Sequence, residues 1–415
     1  MATTSLLARW IAGKRTRFRT APRPPRNSST PILAEDWQSG GFGLYVHWPF
    51  CAAKCPYCDF NSHVSRQIDE TVWRDAYLSE IERVSAETPD KVLNTIFFGG
   101  GTPSLMSPDL VAQVIDAARR AWRWSNDVEI TLEANPGSVE AGRFAGYRMA
   151  GVNRISMGVQ ALNDADLRRL GRIHTVSDAR AAFDIARGEF DRVSFDLIYA
   201  RQDQDLDHWR RELRAALDMA VDHLSLYQLT IEDGTAFADR FKAGGLRGLP
   251  EDGLAADMYD LTQDVCGAAG MPAYEVSNHA AAGAESRHNL IYWRYGDYAG
   301  IGPGAHGRLT LNGQKFATEA PRAPGLWLKK TRSGNGETER TALGQQDQAY
   351  EYLMMCIRLS EGLDMRRFER LLGQPLDPDR LDHLVQLGLV TVDGSILTAT
   401  PSGRTLLNSV IAELI

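Results

Sequence analysis

The sequence lacks several features that would place it in other classes of protein. It contains no uninterrupted apolar run of the roughly 20 residues that a membrane-spanning helix needs. Cysteine is scarce, with 5 in 415 residues, and the odd number together with the absence of a secretory signal argues against a disulfide framework. We therefore expect reduced thiols and a cytoplasmic protein. The formal net charge is −7, which argues against nucleic acid as a partner.

Three of the five cysteines lie within eight residues, in the spacing Cys-x3-Cys-x2-Cys: Cys51, Cys55 and Cys58. A cubane [4Fe–4S] cluster normally takes four thiolates, one for each iron. Three thiolates leave one iron open to an exogenous ligand, and S-adenosylmethionine (SAM) is the usual occupant in radical enzymes. A zinc site that His47 or His63 completes is the alternative, and it would make the chain a zinc-bearing scaffold.

From Gly43 onward, strand-like and helix-like segments alternate, which predicts a parallel sheet of six βα units. The predicted strands are residues 44–48, 95–98, 128–132, 154–157, 193–197 and 224–229, with a seventh at residues 273–276. Polar and glycine-rich motifs follow at the carboxyl ends of the six strands. A β/α barrel has its active site on that face, so the motifs are expected to meet there.

The sequence contains seven such motifs: Gly-Gly-Gly-Thr-Pro (99–103), Glu-Ala-Asn-Pro-Gly (133–137), Arg-Ile-Ser-Met-Gly-Val-Gln (154–160), Gly-Arg-Ile-His (171–174), Ser-Phe-Asp-Leu-Ile-Tyr (194–199), Tyr-Glu-Val-Ser-Asn (274–278) and His-Asn-Leu-Ile-Tyr-Trp (288–293). With the cysteine loop, this set resembles the radical SAM superfamily and, in its coproporphyrinogen dehydrogenase-like branch, the HemW family of haem chaperones. The resemblance runs from Tyr45 to about Gly307 and continues more weakly to the C-terminus. It implies an α/β fold, an incomplete (β/α)6 radical SAM barrel with a C-terminal helical, winged-helix-like domain.

The resemblance also implies three cofactors, namely a [4Fe–4S] cluster, SAM and haem. It assigns Cys51, Cys55 and Cys58 to the cluster. It assigns the following residues to SAM: Tyr45, Tyr57, Gly100, Gly101, Thr102, Glu133, Gln160, Arg172 and Asp196. Carboxylates suit the cationic groups of SAM, and an arginine suits its carboxylate. Glycine allows close backbone approach, so a side chain at position 101 is expected to block SAM without loss of iron.

The last motif is tied to haem by the same resemblance, through His288, Asn289, Tyr292 and Trp293. Histidine is a common axial ligand of haem iron and tyrosine an occasional one, so His288 is the first candidate. Further candidates are Tyr292, His306 and His47. The alternative is that this motif has a structural role and forms a polar turn that closes the site.

Two positions depart from related sequences. Oxidases of this branch have a further cysteine two residues past the third cluster cysteine, where this chain has Phe60. The turn at residues 199–203, Tyr-Ala-Arg-Gln-Asp, lacks the glycine that relatives usually carry. The first departure favours a haem chaperone over the alternative, an oxygen-independent coproporphyrinogen III oxidase that decarboxylates propionate side chains by radical chemistry.

Four segments are expected along the chain. Residues 1–42 are a basic extension, predicted to be disordered, with an organellar transit peptide as the alternative reading of its first 34 residues. Residues 43–279 form the barrel, residues 280–344 a sheet and loop region that covers it, and residues 345–415 two or three helices and a hairpin near Asp393.

The expected partners are haem and a haem-acceptor protein of a respiratory chain, with no nucleic acid. A transient contact with a membrane protein stays open, as does the choice between monomer and homodimer.

Overall fold

A computed structural model describes residues 36–65, 67–138 and 141–415. The strands within these ranges are β1 (Phe42–Trp48), β2 (Phe50–Cys51), β3 (His63–Val64), β4 (Val92–Gly100), β5 (Arg123–Ala134), β6 (Arg154–Gln160), β7 (Arg192–Tyr199), β8 (His223–Gln228), β9 (Asn278–Ala280), β10 (Asp297–Ile301), β11 (His306–Leu311), β12 (Gln314–Glu319), β13 (Glu339–Ala342), β14 (Leu363–Asp364), β15 (Val390–Asp393) and β16 (Ile396–Ala399).

The α-helices are α1 (Glu70–Glu87), α2 (Pro108–Ala121), α3 (Ala141–Ala150), α4 (Asp164–Arg169), α5 (Val176–Glu189), α6 (Leu206–Met219), α7 (Ala236–Lys242), α8 (Asp252–Ala268), α9 (Arg287–Trp293), α10 (Pro324–Arg332), α11 (Gln345–Cys356), α12 (Met365–Leu372), α13 (Pro378–Gln386), α14 (Pro401–Thr405) and α15 (Leu407–Leu414). Short 3₁₀-helices occupy Asp36–Ser39, Pro103–Leu105 and Pro136–Ser138. In the described ranges, no helix combines the length and the apolar character that crossing a membrane requires.

The main sheet has eleven strands, in the order β13-β12-β11-β10-β1-β4-β5-β6-β7-β8-β9. The six strands predicted from the sequence are β1, β4, β5, β6, β7 and β8, and they are parallel neighbours in that order. The helices between them pack on the sheet because each has an apolar stripe; α2, for example, buries Leu110, Val111 and Val114. The predicted α/β architecture of an incomplete (β/α)6 barrel is confirmed.

Helix starts follow local signals that the sequence carries. Ser107 caps α2 by accepting from the backbone N–H of Leu110, and Pro108 occupies the first helical position as expected. Asp69 caps α1 in the same way, through the N–H of Thr71. These caps orient the helices that connect neighbouring strands.

The predicted seventh strand at residues 273–276 is wrong. That segment makes one isolated bridge, between Ala273 and His279, and the strand is β9, which is antiparallel to β8. The reason is tertiary, because Glu275 turns inward and its carboxylate accepts from the backbone N–H groups of Val276 and Ser277. Those donors are therefore not available to a sheet.

Residues 280–344 extend the main sheet beyond β1 instead of covering it as a separate layer. Strand β10 joins β1 in parallel, and β11, β12 and β13 follow as an antiparallel series. Helix α9 lies before these strands.

The C-terminal pattern of helices and a hairpin is confirmed by α11, α12, α13, β15 and β16, and β14 completes a three-stranded sheet.

Among the described residues, the two largest clusters of buried hydrophobic side chains form separate cores. The larger surrounds the main sheet, and the second, apart from Tyr295, consists of residues within 349–414.

The predicted disordered extension lies mostly outside the described residues. Its end belongs to regular structure, since Asp36–Ser39 is a 3₁₀-helix and Phe42 begins β1.

Candidate functional site

A cavity of about 800 Å³ lies at the carboxyl ends of the parallel strands, between the cysteine loop and the C-terminal unit, residues 345–415. This volume is at the upper end of the range for small-molecule sites. Thirteen residues predicted from the sequence line it: Cys51, Cys55, Cys58, Tyr57, Gly100, Gly101, Thr102, Glu133, Gln160, Arg172, Asp196, Asn289 and Trp293. Tyr45, His288 and Tyr292 do not.

The cysteine loop connects β2 and β3 and places three free, half-buried thiols at one end of the cavity. Thr102 Oγ1 donates to Cys51 Sγ at 3.4 Å, and Arg172 Nη1 donates to Cys55 Sγ at 3.3 Å. Burial raises the pKa of the Cys58 thiol to about 12 and also raises that of Cys51. Without a cationic metal centre, the Cys58 thiol is therefore protonated at neutral pH.

The donor set of this loop fits a cluster with three protein ligands. In the described ranges, no three His, Cys, Asp or Glu side chains converge closely enough to hold a single metal ion. A mononuclear zinc needs its sulfur ligands within about 2.3 Å of one atom. The irons of a cubane are separate and each takes one thiolate, and hydrogen bonds to the sulfurs tune its potential. The donors from Thr102 and Arg172 supply such bonds.

The glycine turn after β4 packs directly against the strand that leads into the cysteine loop. A Cβ atom on Gly101 would lie 2.6 Å from the carbonyl oxygen of Phe50, the residue before Cys51. Gly100 has φ +112°, and its Cβ would lie 2.7 Å from Cε1 of His47. This contact argues against the expectation that a side chain at Gly101 spares the cluster, because the new Cβ would press on the backbone that leads into the cluster loop.

Two carboxyl groups face the same cavity. Gly100 donates its backbone N–H to Glu133 Oε2 at 3.2 Å, and burial, reinforced by Asp196, raises the pKa of Glu133 to about 8. Burial also raises the pKa of Asp196 to about 6. A cationic ligand would restore both groups to their charged forms, so this wall suits an ammonium or sulfonium group.

Arg172 and Gln160 approach the cavity from β6 and the segment after it. Arg172 Nη2 donates to the carbonyl oxygen of Gly158 at 2.9 Å, which holds the guanidinium between β6 and Cys55. Gln160 has φ 76°, and the pairing of β6 with β7 shifts register between Met157 and Gln160. This irregularity at the strand end turns the side chain toward the cavity.

Helix α9 divides the predicted haem motif between two faces. Asn289 and Trp293, four residues apart, line the cavity, whereas His288 and Tyr292 lie on another face of the helix. His288 is buried, and its ring nitrogens lie 2.6 Å from Thr95 Oγ1 and 2.7 Å from the Tyr292 hydroxyl. Because both nitrogens already have partners, this arrangement does not support His288 or Tyr292 as an axial ligand.

Tyr45, His47 and His306 also lie outside the cavity. The Tyr45 hydroxyl is 3.0 Å from His47 Nδ1, and His47 Nε2 is 2.9 Å from the carbonyl oxygen of Asn61. His306 does not line the cavity either, whereas His223, which the sequence did not single out, does. Tyr45 and His47 therefore support the wall of the site from behind.

The glycine-free turn after β7 adopts the backbone that glycine would favour. Ala200 and Asp203 both have φ 56°. Between them, buried Arg201 donates to Asp166 at 3.0 Å and to Glu212 at 2.6 Å. This network stabilises a conformation that costs an L-residue roughly 1–2 kcal/mol.

Several cavity residues were missed by the sequence analysis: Arg154, His223, Tyr227, Glu275, Arg358 and Arg404. Arg154 and Glu275 belong to motifs found in the sequence (154–160 and 274–278), so a signal for both existed. Arg358 and Arg404 carried none, because only the folding of the C-terminal unit brings them to the barrel.

The chain matches the radical SAM superfamily over residues 45–216 and the HemN C-terminal domain over residues 343–406. It is 38% identical to heme chaperone HemW of Escherichia coli, over 89% of this chain and 96% of that protein. It is 37% identical to radical S-adenosyl methionine domain-containing protein 1, mitochondrial, of Mus musculus, over 98% of this chain and 94% of that protein.

Among solved structures, coproporphyrinogen III oxidase (HemN) of Escherichia coli superimposes with a TM-score of 0.76 at 22% identity and covers 93% of each chain. This likeness is one of fold. The extent and identity of the sequence matches, together with three cysteines at the end of a parallel-strand cavity, establish the relationship. The chain belongs to the HemW family of the radical SAM superfamily.

Proposed function

We propose that this protein is a haem chaperone that binds a [4Fe–4S] cluster, SAM and haem, and transfers the haem to an acceptor protein. The observation that carries the proposal is the composition of the cavity. Three free thiols lie at one end, and aromatic and cationic side chains of α9 and the C-terminal unit lie at the other. These groups line one volume of about 800 Å³, so a planar ligand would share the cavity with the thiols.

At the cluster end, the chain supplies ligands and hydrogen-bond donors. When bound, a cluster with three protein thiolates supplies one iron that is open to SAM. Glu133 and Asp196 would hold the cationic groups of SAM, and Arg172 its carboxylate. These roles agree with the positions of the three residues, which all line the same cavity.

At the other end, Asn289 and Trp293 are the residues of the haem motif that we propose to contact the ligand. Trp293 offers an aromatic face for a planar ring, and Asn289 a polar group beside it. His288 and Tyr292 would act indirectly, since the hydrogen bond between His288 and Thr95 on β4 fixes the helix that carries Asn289 and Trp293, and Tyr292 orients the His288 ring.

The position of Phe60 favours a chaperone over an oxidase. Its side chain is 36% exposed and lines the cavity near the three thiols, at the place where the oxidases resembled by this sequence have a cysteine. A haem-acceptor protein as partner agrees with the HemW relatives, which are named heme chaperones, since a chaperone has to pass its haem on. Cytoplasmic location, a respiratory acceptor, membrane contact and oligomeric state stay predictions, and some relatives are named as mitochondrial.

The proposal is tested by anaerobic reconstitution followed by two parallel assays. Purified protein should take up about four iron and four sulfide per chain, as a cubane requires. It should then give a Soret band with haem, and it should form no protoporphyrinogen from coproporphyrinogen III under reducing, SAM-replete conditions. Steady decarboxylation would overturn the chaperone in favour of the oxidase.

Cysteine variants provide the matched controls for that experiment. Cys55→Ala should abolish iron uptake, whereas Cys266→Ala should not, because Cys266 is fully buried in the main core away from the loop. Tight binding of zinc without uptake of iron would contradict the cluster assignment.

A further inference from the structure

Two arginines of the C-terminal unit line the cavity without a carboxylate partner. Arg358 lies directly after α11, and Arg404 lies in α14. In the described ranges, neither makes an ion pair within 4 Å, in contrast to Arg308, which pairs with Glu351 at 2.9 Å. Guanidinium groups removed from water are ordinarily paired with an anion. Two arginines without a carboxylate partner in one cavity therefore indicate that an anionic ligand binds there.

Arg358 is half-buried, and its guanidinium donates to the carbonyl oxygen of Met354 in the preceding turn. The acidic group that acts on it is Glu275, but this carboxylate already accepts from Val276 N at 2.7 Å and from Ser277 N at 3.1 Å. Burial lowers the pKa of Arg358 to about 10, so the guanidinium remains cationic at neutral pH. Its charge is therefore available to a ligand.

Arg404 gives a second, independent observation. Its Nη1 atom is buried and has no hydrogen-bond partner, although the side chain also lies beside the Tyr259 hydroxyl. Leaving a buried charged donor unsatisfied destabilises a protein. The cost is removed when a bound anion accepts from that donor.

We propose that Arg358 and Arg404 bind the carboxylates of the propionate side chains of the tetrapyrrole, an inference that rests on the proposed haem-chaperone function. Each guanidinium offers a planar fork that matches a carboxylate. Trp293 lines the same cavity and packs against Met355 and Leu359, which flank Arg358 in the chain. The ring would then lie along α9 with its propionates toward the C-terminal unit, so the ligand would join the two units.

The test compares haem with haem dimethyl ester, in which the propionates carry no charge. Both are titrated into the reconstituted full-length protein and followed by the Soret band. The original protein should bind haem at least about tenfold more tightly than the ester, given the strength of charge-assisted hydrogen bonds. Arg358→Gln and Arg404→Gln should each reduce haem affinity by a similar factor and leave ester affinity unchanged.

Control variants separate a charge effect from a packing effect. Arg370→Gln, an exposed position on α12, should bind both ligands as the original protein does. Arg358→Lys should retain part of the preference for haem. Because Arg404 Nη1 lacks a partner, Arg404→Gln should not lower the melting temperature of the ligand-free protein.

The outcomes are distinguishable. Equal affinity for haem and its ester in the original protein would overturn the arginine assignment and leave the chaperone standing. A lowered melting temperature with equal losses for both ligands would also overturn it, in favour of a structural role. If the protein changes the Soret band of neither ligand, the proposed function is overturned and the inference with it.

Discussion

At the scale of single residues, the cavity contains two carboxyl groups that lose their protons at a higher pH than they would in water. Glu133 and Asp196 both have raised pKa values, chiefly because of burial, and the Asp196 carboxylate further raises the pKa of Glu133. At neutral pH, Glu133 therefore keeps its proton, and the raised pKa values of both acids mean that ionising them destabilises the ligand-free protein. The same property makes the cavity attractive to a cation, because a positive charge lowers both pKa values.

Glu133→Gln is predicted to stabilise the ligand-free protein in a pH-dependent way. The folded-state pKa of about 8 lies above the ordinary value of 4.5, so the unfolded state loses its proton first as the pH rises. Stability of the original protein should therefore fall between about pH 4.5 and pH 8. The variant should be more stable by roughly 1–3 kcal/mol at pH 8 and nearly equal at pH 4.5.

Urea unfolding at both pH values measures this difference. Glu82→Gln on α1 is the control, since its side chain is exposed and should change nothing at either pH. A gain of equal size at both values would mean that burial of the charge is not its cause.

At the scale of elements, close backbone contacts decide which substitutions reach the cluster. The glycine turn after β4 donates Gly101 N–H to the carbonyl oxygen of Trp48 at 2.7 Å and Thr102 N–H to that of Phe50 at 2.8 Å. The turn and the start of the cysteine loop therefore form one unit. A disturbance in either should reach the thiols.

Gly101→Ala is predicted to lower iron uptake on anaerobic reconstitution to half or less of the roughly four irons of a cubane. The new Cβ would lie 2.6 Å from the Phe50 carbonyl oxygen, which only a backbone shift relieves. Gly188→Ala in α5 is the matched control, because no atom lies within 4 Å of its Cβ position. Full iron content with a lost SAM response in Gly101→Ala would show that the turn contacts SAM and not the cluster loop.

At the scale of the whole molecule, ion pairs connect the main sheet to the C-terminal unit. Arg308 on β11 and Glu351 on α11 are 3% and 0% exposed, and they form two hydrogen bonds of 2.9 and 3.0 Å. Arg294 and Glu361 form a similar but exposed pair at 2.6 Å. Residues of α14 and α15 line the cavity and belong to the C-terminal unit. The cavity wall therefore depends on the ion pairs that hold this unit to the main sheet.

Glu351→Ala is predicted to destabilise the protein by about 3–5 kcal/mol, because it leaves the buried Arg308 guanidinium without its counter-charge. Glu361→Ala should cost less than about 1 kcal/mol, since that pair is exposed. Denaturant unfolding of both variants checks the ranking. Similar small losses in both would mean that the two units are held together by apolar packing alone.

Much of the fold and part of the site followed from local sequence. Six strands were predicted at their correct places because apolar spacing acts within a few positions along the chain. The cysteine loop and the residues after each strand also meet as predicted, since parallel strands end on one face.

What only the tertiary structure decided depends on residues far apart in the chain. The direction of α9 separates His288 from Asn289, because Thr95 on β4 accepts or donates at the His288 ring. The segment before β9 is not a strand because Glu275 takes up its backbone donors. Arg358 and Arg404 reach the cavity through packing of the C-terminal unit, and no local pattern encodes a contact that forms only when two separate cores meet.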